Sequence, residues 1–410
     1  MPGLRDSAGK DPAGGGTSMN SDRAVELQEQ AWNLQAEGKL DEAATAVRKA
    51  LLLLEQSGEA NSPDAANLLN DLAEIESDRQ SFQEALVLAE RAHSIEGQLG
   101  DSFTGEGAAQ IRARTMGLIG EICRMLGDFV RAEVSLKEAL RIVAAKFGEA
   151  SEYVADARNN LAVLFKACGR FDEGLHLYQK ALDAVVKLNG EDCLACSVIY
   201  HNIGGILHSR GDFTAAEPPG RKAWEISRRL LGEDAPQTLF DAVAYAAILD
   251  GLKRYDDSEA IYRRALVIFE KTFGPEHYEV ASNLHNLAAV LCARGDLDEA
   301  EKLYRRALAI KEKLLGAGSP DAALTLNNLG ALLNRKGRPK EAAAMLQSAV
   351  ETLQSRFAPD HPHLAFARAN LESALLSSRE AGRRRSEMLF KSEHADKVTE
   401  RCQSVKQRER

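Results

Sequence analysis

Periodicity predicts an all-α fold, a right-handed α-solenoid of about eight helical hairpins closed by a C-terminal capping helix. Three observations carry this. An alanine returns at one phase, as Ala50, Ala92, Ala139, Ala181, Ala223, Ala265, Ala307 and Ala349, in steps of 42 residues with a single step of 47. A second small position stands seven residues earlier, as Ala43, Ala85, Ala132, Gly174, Ala216, Ser258, Ala300 and Ala342. A glycine turn repeats at 38, 127, 169, 211, 295 and 337, with Gln80 and Lys253 in the two gaps. A period of this size is one supersecondary unit stacked on its copies, because a lone hairpin cannot cover its own apolar faces.

Residues 1–21 are rich in Gly, Ala, Ser and Pro and predict a disordered segment. Residues 22–380 form the expected solenoid, which unit 295–336 illustrates. Leu297, Ala300, Leu303, Tyr304, Ala307, Leu308 and Ile310 recur three and four apart, as on one face of a helix. Asp296 or Asp298 caps that helix, and Glu299 and Glu301 occupy its first turn, where the helix dipole favours negative charge. Gly316 ends it, and Ser319-Pro320-Asp321 opens a second helix with Leu324, Leu326, Leu329, Leu332 and Leu333 as its apolar set. The small positions let helices cross closely. Two irregularities stand out. Five extra residues fall near Ser102 to Gly107, where Gly105 and Gly107 allow a hinge. Pro218-Pro219-Gly220 replace the Lys302-Leu303-Tyr304 of a regular unit, so that helix is expected to start late or bend. Residues 363–378 predict the capping helix, with a more polar outer face, and 381–410 a basic mixed-charge tail.

Charge narrows the class. The chain carries a net −9, while the tail's nine Lys or Arg against five acids give it +4. The remainder is therefore −13, which disfavours nucleic acid on the solenoid, since phosphate contacts dominate that affinity. The tail is expected to be a solvated segment, with RNA, an acidic partner or an import receptor as its alternatives. No apolar stretch suits a signal peptide or a membrane span. Six scattered cysteines fit packing in a reducing compartment, and the expected localisation is cytoplasmic. Cys193-Leu-Ala-Cys196 is a lone CxxC at a helix start, for which packing is the default and a metal or redox role the minority reading. Asp360-His361-Pro362-His363 is equally weak as a metal site. No P-loop, G-x-G-x-x-G, H-E-x-x-H, G-x-S-x-G or EF-hand loop is present, so the expectation is no catalytic residue, no metal and no cofactor.

The run N-L-[AG]-x-[LVI]-L followed by G-[DR]-[FYL]-x-E-A-x-x-L-Y-x-[KR]-A-L resembles the tetratricopeptide repeat. The 42-residue spacing, with loops such as Phe273-Gly274-Pro275-Glu276-His277, is similar to the kinesin light chain subclass, over roughly residues 22–378. The resemblance implies that the first helix of each hairpin lines a concave, peptide-holding groove. In that family an N-terminal heptad coiled coil attaches the motor. The 20 or so Gly-rich residues before the repeats cannot form one, so cargo-groove function is the most that carries over.

On the groove phase stand Asn160, Asn202, Asn286, Asn328 and Asn370, with Leu118 and Ala244 interrupting. The preceding phase holds Asn159, His201, His285 and Asn327. An amide offers donors and an acceptor together, so it can hold an extended peptide backbone without reading its sequence. The alternative is that the amides bond neighbouring helices and fix their packing. Arg114, Arg124, Arg158 and Lys166 cluster by phase in repeats three and four and predict a subsite for an acidic, partly aromatic linear peptide. The expected function is a non-enzymatic scaffold or adaptor binding linear peptide segments of other proteins. A kinesin-light-chain-like cargo adaptor, a structural self-assembling solenoid and an RNA-binding tail are the alternatives.

Overall fold

Every expected turn closes with the same backbone bond. The N–H of the residue after the turn position reaches back five residues, as in Lys39 to Leu34, Ser81 to Glu76, Asp128 to Cys123 and Arg170 to Phe165. Asp212 to Leu207, Arg254 to Leu249, Asp296 to Leu291 and Arg338 to Leu333 complete the series at 2.8–3.0 Å. This is the Schellman closure, and it needs a left-handed residue at the turn. Glycine supplies it at six turns, while Gln80 (φ 63°) and Lys253 (φ 61°) adopt it at some cost.

The computed structural model describes residues 19–356, 359 and 361–383. Contacts divide the described residues into two compact units that part between Leu230 and Leu231, at the last residue of the tenth helix. The first holds α1 (Met19–Ala36), α2 (Leu40–Gln56), α3 (Pro63–Asp78), α4 (Phe82–Leu99), α5 (Gly105–Met125), α6 (Phe129–Phe147), α7 (Glu152–Ala167), α8 (Phe171–Asn189), α9 (Leu194–Arg210) and α10 (Phe213–Leu231). The second holds α11 (Pro236–Gly251), α12 (Tyr255–Phe273), α13 (Tyr278–Arg294), α14 (Leu297–Leu315), α15 (Pro320–Arg335), α16 (Pro339–Arg356) and a last helix α17 (362–383). The described residues contain no strand.

The tight pairs are those that flank a glycine-type turn, such as α5 with α6, α13 with α14 and α15 with α16. A hairpin therefore runs from the helix before the turn to the helix after it. The sequence unit 295–336 straddles two hairpins. First helices also pack side by side, α3 on α5 on α7 on α9 in one unit and α11 on α13 on α15 in the other. Both small positions lie on second helices and are buried, Ala43, Ala85, Ala132, Ala216, Ala300 and Ala342 in one series and Ala50, Ala92, Ala181, Ala307 and Ala349 in the other.

Several expectations are corrected. The first helix begins at Met19, inside the segment expected to be disordered; residues 1–18 and 384–410 lie outside the described part. The five extra residues do not make a hinge. The first residue of α7, Glu152, aligns with Gln110, yet α5 starts at Gly105, so the insertion is added helix at its N-terminus. Phe103 beneath it is buried, and the Arg112 guanidinium lies 5.1 Å from its ring centroid. Nor does α10 start late. It begins on phase at Phe213 and runs through both prolines, which cost the Thr214 and Ala215 carbonyls their helical donors. Both residues are exposed, so water can serve those carbonyls. The capping helix buries Leu364, Ala367 and Ala374, but its outer face is not simply polar, because Phe366, Leu375 and Leu376 are exposed.

Candidate functional site

Three spacings organise the polar side chains. Side chains 43 residues apart join neighbouring first helices: Gln28 Nε2 donates to Asp71 (2.5 Å), Arg114 to Asp71 (2.7 Å), Asn202 to Asn159 (2.7 Å) and Asn370 to Asn327 (3.0 Å). Pairs 38 apart join the start of a second helix to the end of the next first helix: Asp41 with Arg79, Asp172 with Arg210, Asp256 with Arg294 and Asp298 with Lys336, at 2.5–3.0 Å. Each places an acid at a helix N-terminus and a base at a C-terminus, where the dipoles favour them. Pairs 36 apart link second helices, as in Arg48–Glu84, Arg263–Glu299 and Arg305–Glu341.

These registers sort the expected site residues. In the first unit Asn159 is buried and its carbonyl oxygen accepts from Asn202. Its own amide donates to Asn160 Oδ1 at 3.4 Å, leaving the Asn160 amide donors unused. His201 is half-buried beside them on α9. In the second unit His285 lies between Thr325 Oγ1 (3.0 Å) and the Asn328 amide (3.2 Å). Burial, helped by the nearby Lys311 ammonium, pushes its pKa down to about 3, so the ring is neutral. Asn327, buried, donates to Asn328 Oδ1 at 3.0 Å and accepts from Asn370. Asn286 is half-buried and makes no hydrogen bond with its side chain among the described residues. Much of the amide ladder thus ties helix to helix, and Asn160 and Asn286 keep free hydrogen-bonding capacity.

The four cations divide in the same way. Arg114 reaches Asn67 (2.8 Å), Asp71 (2.7 Å) and Glu74 (2.9 Å), and although burial alone would lower its pKa, the two carboxylates raise it. Arg158 is buried and held by Glu149 in the preceding loop, through the carboxylate and the carbonyl (3.2 Å). Among the described residues Arg124 has Glu121 alone, at 4.0 Å. Lys166, half-buried at the same phase one repeat on, has no acidic partner among the described residues, and burial lowers its pKa. A Cβ built on Gly205 of α9 would sit 3.0 Å from its ammonium, so the glycine leaves it room. Beside them Tyr178 is fully buried with its hydroxyl unpartnered; burial raises its pKa and the Arg124 charge opposes the shift. Sequence reasoning missed this hydroxyl, because Tyr178 occupies a core phase shared with Tyr262 and Tyr304.

Among the described residues no helix is long and apolar enough to cross a membrane, and no group of three or more His, Cys, Asp or Glu is placed to hold a metal ion. Comparison with known proteins agrees with the hairpins. The tetratricopeptide repeat profile matches residues 153–229, 241–313, 279–355 and 321–381, together more than half of the chain. Protein KINESIN LIGHT CHAIN-RELATED 3 of Arabidopsis thaliana is 25% identical over 238 residues, covering 58% of this chain and 36% of that protein. Protein KINESIN LIGHT CHAIN-RELATED 2 of the same plant is 26% identical over 297 residues, covering 68% of this chain and 43% of that protein. The chain thus spans less than half the length of these curated relatives. The apo form of the quorum sensor NprR from B. thuringiensis shares the fold, with a TM-score of 0.59 at 12% identity, over 80% of this chain and 87% of that one. The chain belongs to the tetratricopeptide repeat family, and within it resembles the kinesin light chain-related proteins.

Proposed function

We propose that this protein is a non-catalytic adaptor that holds an acidic linear peptide segment of a partner protein on the face formed by α5, α7 and α9. One observation carries the reading. In a chain of net −9, Arg79, Arg210, Arg294 and Lys336 near the ends of first helices each meet a carboxylate 38 residues before them, whereas among the described residues Lys166 on α7 has no acidic partner and Arg124 on α5 meets Glu121 alone, at 4.0 Å. Two cations at the same phase of successive first helices, in a partly desolvated setting, suit a carboxylate-bearing ligand. The Asn160 amide donors, one turn and a half earlier on α7, suit its backbone. The kinesin light chain-related likeness supports protein partners in general.

The test is fluorescence anisotropy with labelled Glu- and Asp-rich dodecapeptides carrying one Trp, on wild type and on Arg124→Gln/Lys166→Gln. Charge-assisted hydrogen bonds contribute about 1.5–3 kcal/mol each, so affinity should fall tenfold or more. Equal affinity in both proteins would falsify the subsite. A pull-down with Asn160→Leu/Asn202→Leu/Asn286→Leu, checked for fold by circular dichroism, separates amides that touch ligand from amides that fix helices. A self-assembling reading is favoured by the exposed Val130 and Val134 on α6. Mass by light scattering that rises with concentration would support it.

A further inference from the structure

We infer that Cys193 and Cys196 form a dithiol site that exchanges with small disulfides of the glutathione class. The pair opens α9. Cys193 is its N-cap in extended conformation (φ −126°, ψ 159°), and its Sγ accepts from the Cys196 backbone N–H at 3.4 Å. The other repeats show what these positions ordinarily require. Ser62, Ser151 and Ser319 occupy the cap and accept through oxygen from Ala65, Val154 and Ala322, at 3.1, 3.4 and 3.3 Å. Those three donor residues are fully buried and apolar. Here a sulfur replaces the oxygen and a second sulfur replaces the apolar side chain. Sulfur is a weak acceptor, so capping alone favours serine at 193, and packing alone is met by Ala or Val at 196.

The two thiols differ as an attacking and a resolving thiol must. Cys193 is half-buried at the helix N-terminus and is the more accessible of the two. Cys196 is fully buried, its Sγ 3.4 Å from the Gly190 carbonyl oxygen, and burial together with the adjoining Cys193 thiol pushes its pKa up to about 12. It keeps its proton and waits. The charged groups around the loop are already engaged, Glu191 with Lys222 (3.0 Å) and Asp192 with Arg229 (2.6 Å). An N-cap and the third residue of its helix lie within the span that a disulfide bridges. The Cys193 thiolate attacks one sulfur of glutathione disulfide, whose S–S bond breaks and releases one glutathione thiolate, which takes up a proton. The Cys196 sulfur, its proton passing to the second leaving thiolate, then attacks Cys193 Sγ, forming the Cys193–Cys196 bond and freeing the second glutathione. Two protein thiols are oxidised and one small disulfide is reduced to two thiols.

The full chain is equilibrated in buffers of varied reduced and oxidised glutathione, acid-quenched, alkylated and digested with trypsin. Residues 188–210 form one peptide holding both cysteines. The variants C193S and C196A install residues that other repeats already carry at these phases, so both are expected to fold, and circular dichroism checks it. Wild type should lose both alkylation sites of that peptide together, reversibly, with the peptide two mass units lighter. C196A should accumulate a glutathione adduct on Cys193 at least tenfold above any adduct on Cys196 in C193S. The inference is overturned if both thiols stay alkylatable under conditions that modify the exposed Cys168. Adducts of similar yield in the two variants would overturn it as well.

Discussion

Gly330→Ala tests how the hairpins close. A Cβ at Gly330 of α15 would lie 2.6 Å from Leu346 Cγ of α16, 3.1 Å from its Cδ2 and 3.4 Å from the Ala342 carbonyl oxygen. Carbon atoms pack at about 3.5–4.0 Å, so a displacement of roughly 1 Å is needed. Cγ is a branch point, so only a shift of the whole side chain or of the helix relieves the clash. Overpacking costs about 1–3 kcal/mol, and the demand here is near the upper end. Against it, Ala gains about 1 kcal/mol over Gly in a helix interior, leaving a net loss of about 2 kcal/mol. Gly117 of α5 is the control, because a Cβ there meets nothing within 4 Å and Gly117→Ala should gain up to about 1 kcal/mol. The repeats also supply the rescue. Gly120 faces Leu136 as Gly330 faces Leu346, sixteen residues on, whereas Ala162, Ala246 and Ala288 stand opposite Tyr178, Tyr262 and Tyr304. Leu346→Tyr combined with Gly330→Ala should therefore recover at least about 1 kcal/mol relative to the sum of the single changes. Urea unfolding with hydrogen exchange across α15 and α16 is the assay, because an array need not unfold in one step. If Gly330→Ala stabilises as Gly117→Ala does, the close crossing is not the constraint argued here.

Acid should weaken the second unit through Glu301. Burial alone would raise its pKa, but Lys336, Arg305 and Arg338 hold it down to about 2. A folded pKa below the unfolded one means stability that is present above about pH 4.5 and lost as pH falls toward 2. With screening by water the effect is about 1–2 kcal/mol, and urea midpoints of wild type and Glu301→Gln should converge below pH 2.5. Lys253→Gly should raise the midpoint by about 0.5–1 kcal/mol, since a left-handed non-glycine residue costs about 1–2 kcal/mol and the added chain entropy of Gly returns part of that; a drop in the midpoint would refute it.

The fold was legible because its determinants repeat. Small residues, glycine turns and apolar phases recur every 42 residues, and the six glycine turns close as their glycines demand. Even Gln80 and Lys253, which break the glycine pattern, keep the left-handed geometry, because the hairpins on both sides impose it. Local irregularities were harder to read. Propensity predicts that Pro218 and Pro219 delay α10, but the packing of a whole repeat outweighs two lost hydrogen bonds whose acceptors face water. The insertion before α5 reads as a flexible Gly pair in sequence, yet the buried Phe103 and Ala108 make one more helical turn worth forming. The proposed charge subsite was legible only as a cluster. Phase placed Arg114, Arg124, Arg158 and Lys166 together, and nothing in a single helix indicates that Asp71, Glu74 and Glu149 engage two of them.

Those engagements carry a rule for this chain. Charges on its helices invite explanation by pairs three or four apart, and some, such as Arg263 with Glu259, do pair that way. Bonds that join repeats recur at spacings of 36, 38 and 43, with others such as Arg170–Glu133 at 37 and Arg294–Glu259 at 35, all near the 42-residue period shifted by the offset between the two helices concerned. A polar residue with a partner at one of these spacings is already committed to stacking, and replacing it should lower stability before it lowers binding. Asn159, Asn202, Asn327 and Asn370 are of this kind. Lys166 and Asn286 are not, for neither side chain has a partner among the described residues at any of these spacings. Ligand contacts are best sought among such exceptions, since a side chain held by its neighbour must break that bond before it can make another.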